Sequence, residues 1–284
     1  MALVGLREML EDAEKGRYAV GAFNCNNMEI IQAIIDAAVM EKSPVIIQAS
    51  QGAIKYAGLE YIAALTKLAA QKAPVPVALH LDHGTSFEQA VKCIHAGFTG
   101  VMVDGSKYPV EENIALVNRV AAVARPCGVS VEGELGKITG TEDDVYVSDK
   151  EALYTDPDEA CYFVEKAQVD ALAIAIGTAH GQYKGEPKLD MDRLREIDRR
   201  LDIPIVLHGS SGVPDDTLRE AVANGVRKIN IDTNIREAFM AAAKAALAEQ
   251  PALLDPRKML APAREAAREL IRQKIRVFGS NNRA

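Results

Sequence analysis

Three short apolar runs in this 284-residue chain each lead into a histidine that is followed at once by glycine. The first reads Val75-Pro76-Val77-Ala78-Leu79-His80-Leu81-Asp82-His83-Gly84. The second reads Ala171-Leu172-Ala173-Ile174-Ala175-Ile176-Gly177-Thr178-Ala179-His180-Gly181, and the third Ile203-Pro204-Ile205-Val206-Leu207-His208-Gly209. Runs this rich in Val, Ile, Leu and Ala read as parallel strands buried on both faces. A glycine after the histidine lets the chain turn sharply and approach a ligand closely. Residues at the C-terminal ends of parallel strands share the end of an α/β fold where chemistry is done. Three imidazoles meeting there, His83, His180 and His208, make an open metal site, and a nitrogen-rich donor set suits zinc. The other two histidines do not fit the pattern. His95 lies mid-helix beside Cys93 and reads as structural. His80 faces the same way as Asp82 by the period-two geometry of a strand and reads as a core histidine with its hydrogen bonds made.

Carboxylates recur at the same strand ends. Asp82 sits between His80 and His83, Asp104 ends Gly100–Asp104, and Glu132 and Glu134 end Val129–Glu134. A carboxylate in such a place is costly unless a metal, substrate or partner needs it. Beside a metal-bound substrate it can relay a proton. Gly209-Ser210-Ser211-Gly212 follows the seventh apolar run, and Asn230-Ile231-Asp232-Thr233 ends the eighth. Small residues, hydroxyls and free backbone N–H groups cradle a phosphate. Between Gly133 and Ala152 the apolar pattern breaks into a polar, Gly-rich stretch without periodicity, which reads as an active-site lid. Tyr183-Lys184-Gly185-Glu186-Pro187 reads as a second loop. A metal, nearby acids, a lid and a phosphate cradle together suit proton abstraction next to a carbonyl in a phosphorylated sugar, or the matching carbon–carbon cleavage.

The elements that must position these groups form a repeating series. Eight apolar runs occur: Tyr18–Phe23, Pro44–Ala49, Val75–Leu81, Gly100–Asp104, Val129–Glu134, Ala171–Ile176, Ile203–Leu207 and Lys228–Ile231. Most are followed by a stretch of helical period, such as Ile30, Ile31, Ile34, Ala37 and Ala38 on one face. Thr85 to Glu88 has capping-box spacing, and Pro214-Asp215-Asp216 opens another helix. Eight strand–helix units in this length predict a (β/α)8 TIM barrel, since a doubly wound open sheet rarely takes eight. An extra N-terminal helix over Leu3–Lys15 should cover the barrel bottom. Helices over Arg236–Glu249 and about Lys258–Val277 should follow the last strand. With no linker or repeat, residues 1–284 read as a single domain.

The net charge of -7, from 33 basic and 40 acidic residues, argues against nucleic acid or an anionic membrane as partner. No apolar stretch reaches the ~18 residues of a membrane span. The four cysteines, Cys25, Cys93, Cys127 and Cys161, form no CxxC pair and read as reduced thiols. The first residues lack a signal-peptide pattern. A cytoplasmic location is expected.

Taken in order, the motifs resemble those of the class II, metal-dependent fructose-bisphosphate aldolases and their tagatose-bisphosphate relatives. The resemblance covers Val20-Gly21-Ala22-Phe23-Asn24, His80-Leu81-Asp82-His83-Gly84, Val131-Glu132-Gly133-Glu134-Leu135-Gly136 and Gly177-Thr178-Ala179-His180-Gly181. It continues through Leu207-His208-Gly209, Lys228-Ile229-Asn230-Ile231-Asp232-Thr233 and Asp255-Pro256-Arg257. It implies a (β/α)8 barrel, a homodimer or homotetramer, and a phosphorylated ketose as substrate. It also implies catalytic Zn2+ on His83, His180 and His208, with Asp104 and Glu134 at a second metal position. Asp82 matches the proton donor at the C4 oxygen, and Glu142 the lid carboxylate that moves protons at the dihydroxyacetone phosphate carbon. Gly181, Gly209, Ser211, Asn230, Asp232 and Thr233 match the dihydroxyacetone phosphate site, with Ser210 and Ile231 inside the same two stretches. Ser50 matches a contact to the glyceraldehyde 3-phosphate half. Arg257 matches an arginine that reaches the distal phosphate from a neighbouring subunit. A monovalent cation, Na+ or K+, near the phosphate loops is a further family trait.

The chain departs from the family pattern at Ser210, where Gly or Ala is usual, at Gly105, where a larger residue often stands, and at Thr141, where Glu or Gln often precedes the lid glutamate. Asp232 favours fructose over tagatose bisphosphate, because tagatose enzymes tend to carry a small residue there. Two other readings compete. Lys228 could serve as a Schiff-base nucleophile if desolvated, but that leaves three histidines unused. A non-catalytic sugar-phosphate sensor would have no need of Asp82 and Glu142.

Overall fold

The computed structural model describes residues 3–142, 145–147, 153–181, 183, 185 and 187–284. Eight parallel strands close into a barrel. They are β1 (Val20–Asn24), β2 (Val45–Ser50), β3 (Val77–Gly84), β4 (Gly100–Val103), β5 (Ser130–Leu135), β8 (Ala171–Ile174), β10 (Ile205–Leu207) and β11 (Val226–Ile231). Each corresponds to one of the eight apolar runs, with ends shifted by up to three residues. The barrel order is β1-β11-β10-β8-β5-β4-β3-β2.

Helix α1 (Leu6–Gly16) plugs the bottom of the barrel, as expected. Its buried Leu6, Met9, Leu10 and Ala13 meet the inward-pointing Val20, Ala22, Ile46, Ala78, Ala171, Ala173 and Val206. The outward-pointing strand residues, among them Ile47, Leu79, Val131, Leu172 and Ile229, join the helices in a separate, larger core. Two-sided burial explains why the strands read as continuous apolar runs.

The helices begin where local chemistry allows. Helix α2 (Met28–Glu41) is capped by Asn27, whose side chain accepts from Ile30 N. Helix α5 (Phe87–Ala96) starts one residue later than the Thr85 capping box predicts: Ser86 is the cap and accepts from Gln89 N. Thr85 instead bonds the Gln51 side chain. His95 is exposed in the last turn of α5, where a basic group suits the helix dipole. Helices α10 (Thr233–Glu249) and α11 (Pro256–Phe278) complete the chain, and α11 packs on α2 and α10.

Part of the stretch read as structureless is a small sheet. Strand β6 (Thr139–Glu142) pairs antiparallel with β7 (Val145–Val147) and parallel with β9 (Ala179–His180). The polar β6 (Thr-Gly-Thr-Glu) and the three-residue β7 (Val-Tyr-Val) are too short and too unlike each other to set a hydrophobic period. Its base is tied down by a Lys137–Leu153 bridge and by Thr155, whose hydroxyl donates to Leu135 O and accepts from Ala175 N. Among the described residues, no helix is long and apolar enough to cross a membrane, and all four cysteines are free thiols.

Candidate metal and phosphate site

A break in strand regularity sets up the site. Along β3, His80 and Asp82 point into the barrel by alternation, so His83 should point out. Instead the β3–β4 register shifts between Leu81 and Gly84, and His83 takes a left-handed backbone (φ 45°). A bulge of this kind re-aims a side chain, and a non-glycine residue held at positive φ is strain typical of functional sites. Adjacent residues Asp82 and His83 therefore both serve the barrel mouth. The His83 N–H lies 3.3 Å from Met102 Sδ.

His83, His180 and His208 converge, each with a ring nitrogen within 4.8 Å of the others. His83 Nε2 lies 2.9 Å from His208 Nδ1. The far nitrogens of these two rings are held by buried acids. His83 Nδ1 is 3.0 Å from Asp104 Oδ2, and His208 Nε2 is 2.8 Å from Glu132 Oε1. With the far nitrogens donating to carboxylates, the facing nitrogens both present lone pairs, an arrangement that a cation between them relieves. Carboxylate–histidine–metal chains are the usual way a ligand tautomer is fixed. The residues present thus fit a divalent metal.

Electrostatics agree. Burial first, then the neighbouring positive groups, pushes the His208 imidazole down to about 4, against the raising effect of its Glu132 bond, so it is neutral at pH 7. Burial would raise the Asp104 carboxyl, but the contact with His83 and the Ser106 hydrogen bonds outweigh it and hold Asp104 below the usual carboxylate range. Glu132 is likewise held low: burial opposes ionisation, and Lys228, His208 and His80 together overcome it.

A second potential ligand group brings together His83, Asp104 and Glu134. The residues named for a displaced metal do meet, sharing His83 with the first group. Glu134 Oε2 is 3.8 Å from His83 Nδ1.

Below the ligands lies a fully buried ion pair. Lys228 Nζ donates to both Glu132 oxygens at 3.1 and 2.8 Å. Lys228 is therefore the counter-ion of the acid that orients His208, which leaves the Schiff-base reading without support. His80 is in the core, as expected, but its bonds are not made. Neither ring nitrogen has a hydrogen-bond partner, although Nε2 lies 3.4 Å from Glu132 Oε2. Burial is the main force that pushes His80 down to about 3.

Beside the histidines opens a cavity of about 250 Å3 lined by Asn24, His180, Gly181, Gly209, Ser210, Ser211, Asn230, Asp232, Thr233 and Arg236. The N-terminus of α10 faces it, so backbone N–H groups and helix dipole favour an anion there. Ser211 Oγ accepts from Asp232 N and Asn234 N, locking the loop after β10 to the start of α10. Ser210 is buried, and its hydroxyl donates to the Leu207 and His208 carbonyls. Its departure from Gly or Ala is therefore satisfied internally. Gly105 has a steric reason: a Cβ there would sit 2.2 Å from Asn113 Oδ1.

Asp82 is fixed from two sides: Asn24 Nδ2 donates to Oδ2 at 2.8 Å, and Asn230 Nδ2 to Oδ1 at 3.2 Å. Gln48 in turn donates to Asn24 at 2.7 Å.

Not every expected residue joins the cavity. Ile231 is fully buried in the outer core. Ser50 is buried and caps α3 (Gln51–Ala57) by accepting from Ala53 N. Arg257 is exposed at the start of α11 and pairs with its own Asp255. The side chains of Glu142 and Thr141 lie outside the described residues. Two lining residues were not anticipated. Asn24 stood at a strand end, but amide side chains carried no signal there. Arg236 pairs with Asp232 one helical turn away, and that i,i+4 spacing was the available clue.

The fold and site define a closed parallel barrel whose mouth holds histidines and acids able to bind a divalent metal, beside a cavity that suits an anion. A family model described as fructose-bisphosphate aldolase class-II matches residues 4–283. A fructose-bisphosphate aldolase of Helicobacter pylori (strain J99) is 43% identical, covering 99% of each chain. One of Geobacillus stearothermophilus is 44% identical over 100% of this chain and 99% of its own. The crystal structure of the YdjI aldolase from Escherichia coli K12 superposes with a TM-score of 0.87 at 36% identity, covering 99% of both chains. The chain belongs to the class II, metal-dependent fructose-bisphosphate aldolase family. That membership implies a divalent metal and a sugar-bisphosphate substrate.

Proposed function

We propose that the chain cleaves fructose 1,6-bisphosphate reversibly into dihydroxyacetone phosphate and glyceraldehyde 3-phosphate, with Zn2+ on His83, His180 and His208. The observation that supports this reading is the three-histidine cluster beside a cavity that His180 lines together with Gly209–Ser211 and the start of α10. A divalent ion held there supplies Lewis-acid polarisation of a carbonyl. The chain's own groups do the rest. Asp82, steadied by Asn24 and Asn230, moves the proton at the C4 oxygen as the C3–C4 bond breaks or forms. Glu142, carried by the lid strand, exchanges the proton at the dihydroxyacetone phosphate carbon. The backbone N–H groups of Gly209–Ser211 and of the α10 N-terminus hold that product's phosphate, and Arg236 offers a guanidinium beside them. Asp104 and Glu134 offer a second cation position next to His83. Carbonyls of the phosphate loops suit a Na+ or K+ ion.

Arg257 stands exposed and away from the cavity. This supports a homodimer or homotetramer in which it serves a neighbour's distal phosphate, alongside Ser50. Asp232, held toward the cavity by Arg236, favours fructose over tagatose bisphosphate. A hydroxyl of reversed configuration would leave a polar group unpaired, at a cost of about 1–3 kcal/mol.

The test is cleavage of the two bisphosphates side by side, before and after EDTA and zinc readdition. Metal-reversible cleavage favouring the fructose substrate is expected. A tagatose preference would overturn the substrate and keep the mechanism. Activity indifferent to EDTA would overturn the metal reading.

A further inference from the structure

Of the three candidate metal ligands, His180 alone does not sit on the barrel wall. Strand β8 ends at Ile174, and the chain leaves the barrel through Gly177 at φ 111° before reaching β9. Among the described residues β9 pairs only with β6. His180 is partly exposed, whereas His83 and His208 are buried. Something other than the barrel must therefore fix the distance between His180 and His208.

One side chain spans that gap. Tyr183 Oη accepts from Ala179 N at 2.8 Å and donates to Gly209 O at 2.7 Å. Ala179 immediately precedes His180, and Gly209 immediately follows His208. A single oxygen thus bridges the residue before one ligand and the residue after another. The two backbones are already in contact: a Cβ on Gly209 would lie 2.6 Å from Ala179 O. The Tyr183 ring also backs the phosphate loop, since a Cβ on Gly212 would lie 3.1 Å from its Cδ2. Burial pushes the phenol up to about 12, so its proton stays in place to donate.

We propose that Tyr183 is a positioning residue that sets the His180–His208 spacing and the seat of the phosphate loop through this one bridging hydroxyl. The proposal rests on the metal reading of the three histidines. A water molecule could satisfy the same N–H and C=O, but it would not fix their separation, because it is not tethered to a ring packed against the core.

The test is Tyr183→Phe, which removes the oxygen and keeps the ring. Three quantities are measured: zinc affinity by chelator competition, the thermal midpoint of the metal-free protein, and steady-state kinetics at saturating zinc. The expected result is a zinc affinity weaker by about tenfold, the scale of lost outer-shell contacts to metal ligands. KM should rise severalfold with kcat within twofold, and the metal-free midpoint should move by no more than about 4 °C, the shift of a ~1 kcal/mol change. Absorption bands of the cobalt-loaded variant should shift as well, because the ligand geometry changes. Tyr162→Phe, which deletes an exposed hydroxyl bonded to Glu111, should leave all of these unchanged. Zinc affinity and KM within twofold of the parent would overturn the proposal. So would a midpoint that drops by more than 10 °C, because it would make the hydroxyl a general structural bond. His83→Ala, run in the same titration, separates the two readings. Tight zinc binding that survives it would sink the metal reading and the proposal together. Its loss, beside an unaltered Tyr183→Phe, would sink the proposal alone.

Discussion

His83 and His208 are built into the barrel, whereas His180 is delivered to it. The first two have their outer nitrogens anchored on Asp104 and Glu132 within the buried interior. His180 rides on two residues of β9, held by strand β6 of the hairpin on one side and by Tyr183 on the other. The difference teaches a division of labour. The core fixes two candidate ligands at the cost of burying a Glu132–Lys228 pair and an unbonded His80. The third candidate ligand shares a sheet with the β6–β7 hairpin, so hairpin geometry and the geometry of the proposed metal site are joined. Preorganisation on rigid elements is the more precise arrangement. A loop-borne ligand is where the site can give.

The comparison can be broken hardest on the barrel side. Glu132→Gln removes the charge that pairs with Lys228 and leaves a single neutral acceptor oxygen to serve both Lys228 and His208. Stranding one member of a buried pair costs about 3–5 kcal/mol. We expect a fall of that order in metal-free stability, measured by denaturant titration, together with zinc affinity lower by about 10- to 100-fold. Adding Lys228→Met to that variant should restore much of the stability, since an uncharged pair needs no counter-ion. Zinc affinity should remain low. Recovery of both would mean that Glu132 serves only the ion pair.

On the other side, Gly140→Ala addresses the delivered ligand. Gly140 has φ 105° and pairs with His180, and a Cβ there would stand 2.1 Å from His180 O. The substitution should push β6 off β9 at a cost of about 1–3 kcal/mol. That corresponds to about 5- to 150-fold if it falls on zinc affinity. The metal-free midpoint should stay near the parent value, because no core contact is lost. A large drop in midpoint with zinc affinity intact would show that the lid sheet braces the barrel and not the ligand.

The same division explains what could be read from the chain. The barrel strands were legible because two-sided burial writes continuous apolar runs, and His83, His180 and His208 were legible because each followed one. Strand ends and caps were less so: Ser86 takes the cap that Thr85 was expected to hold, because Thr85 is drawn to Gln51. The lid strands were illegible because pairing with a two-residue partner leaves no pattern in the residues themselves. Asn24, Arg236 and Tyr183 gain meaning only from neighbours far away in sequence, such as Asp82 for Asn24 and Gly209 for Tyr183. The outward turn that β3 alternation would give His83 was undone by a bulge that composition does not mark.

The most gradual expected effect is a pH dependence on the barrel side. His80 and His208 are held neutral, at about 3 and about 4, against 6.5 in the unfolded chain. A base whose folded-state pKa is depressed binds fewer protons folded than unfolded. Its neutral form therefore costs nothing above pH 6.5, and stability is lost progressively as the pH falls from there toward 4. The depressed Asp104 and Glu132 carboxyls act in the same direction but only below their unfolded values of 3.8 and 4.5. The metal-free protein should hence begin to lose stability near pH 6.5, before its carboxylates titrate. The slope should reach at most about 1.4 kcal/mol per pH unit for each histidine. His80→Gln, which removes one of the two, should flatten the slope by about one proton's worth while leaving the ligand set intact. An unchanged slope in that variant would mean that His80 is not forced neutral by the barrel interior, and the acid sensitivity would then belong to His208 alone.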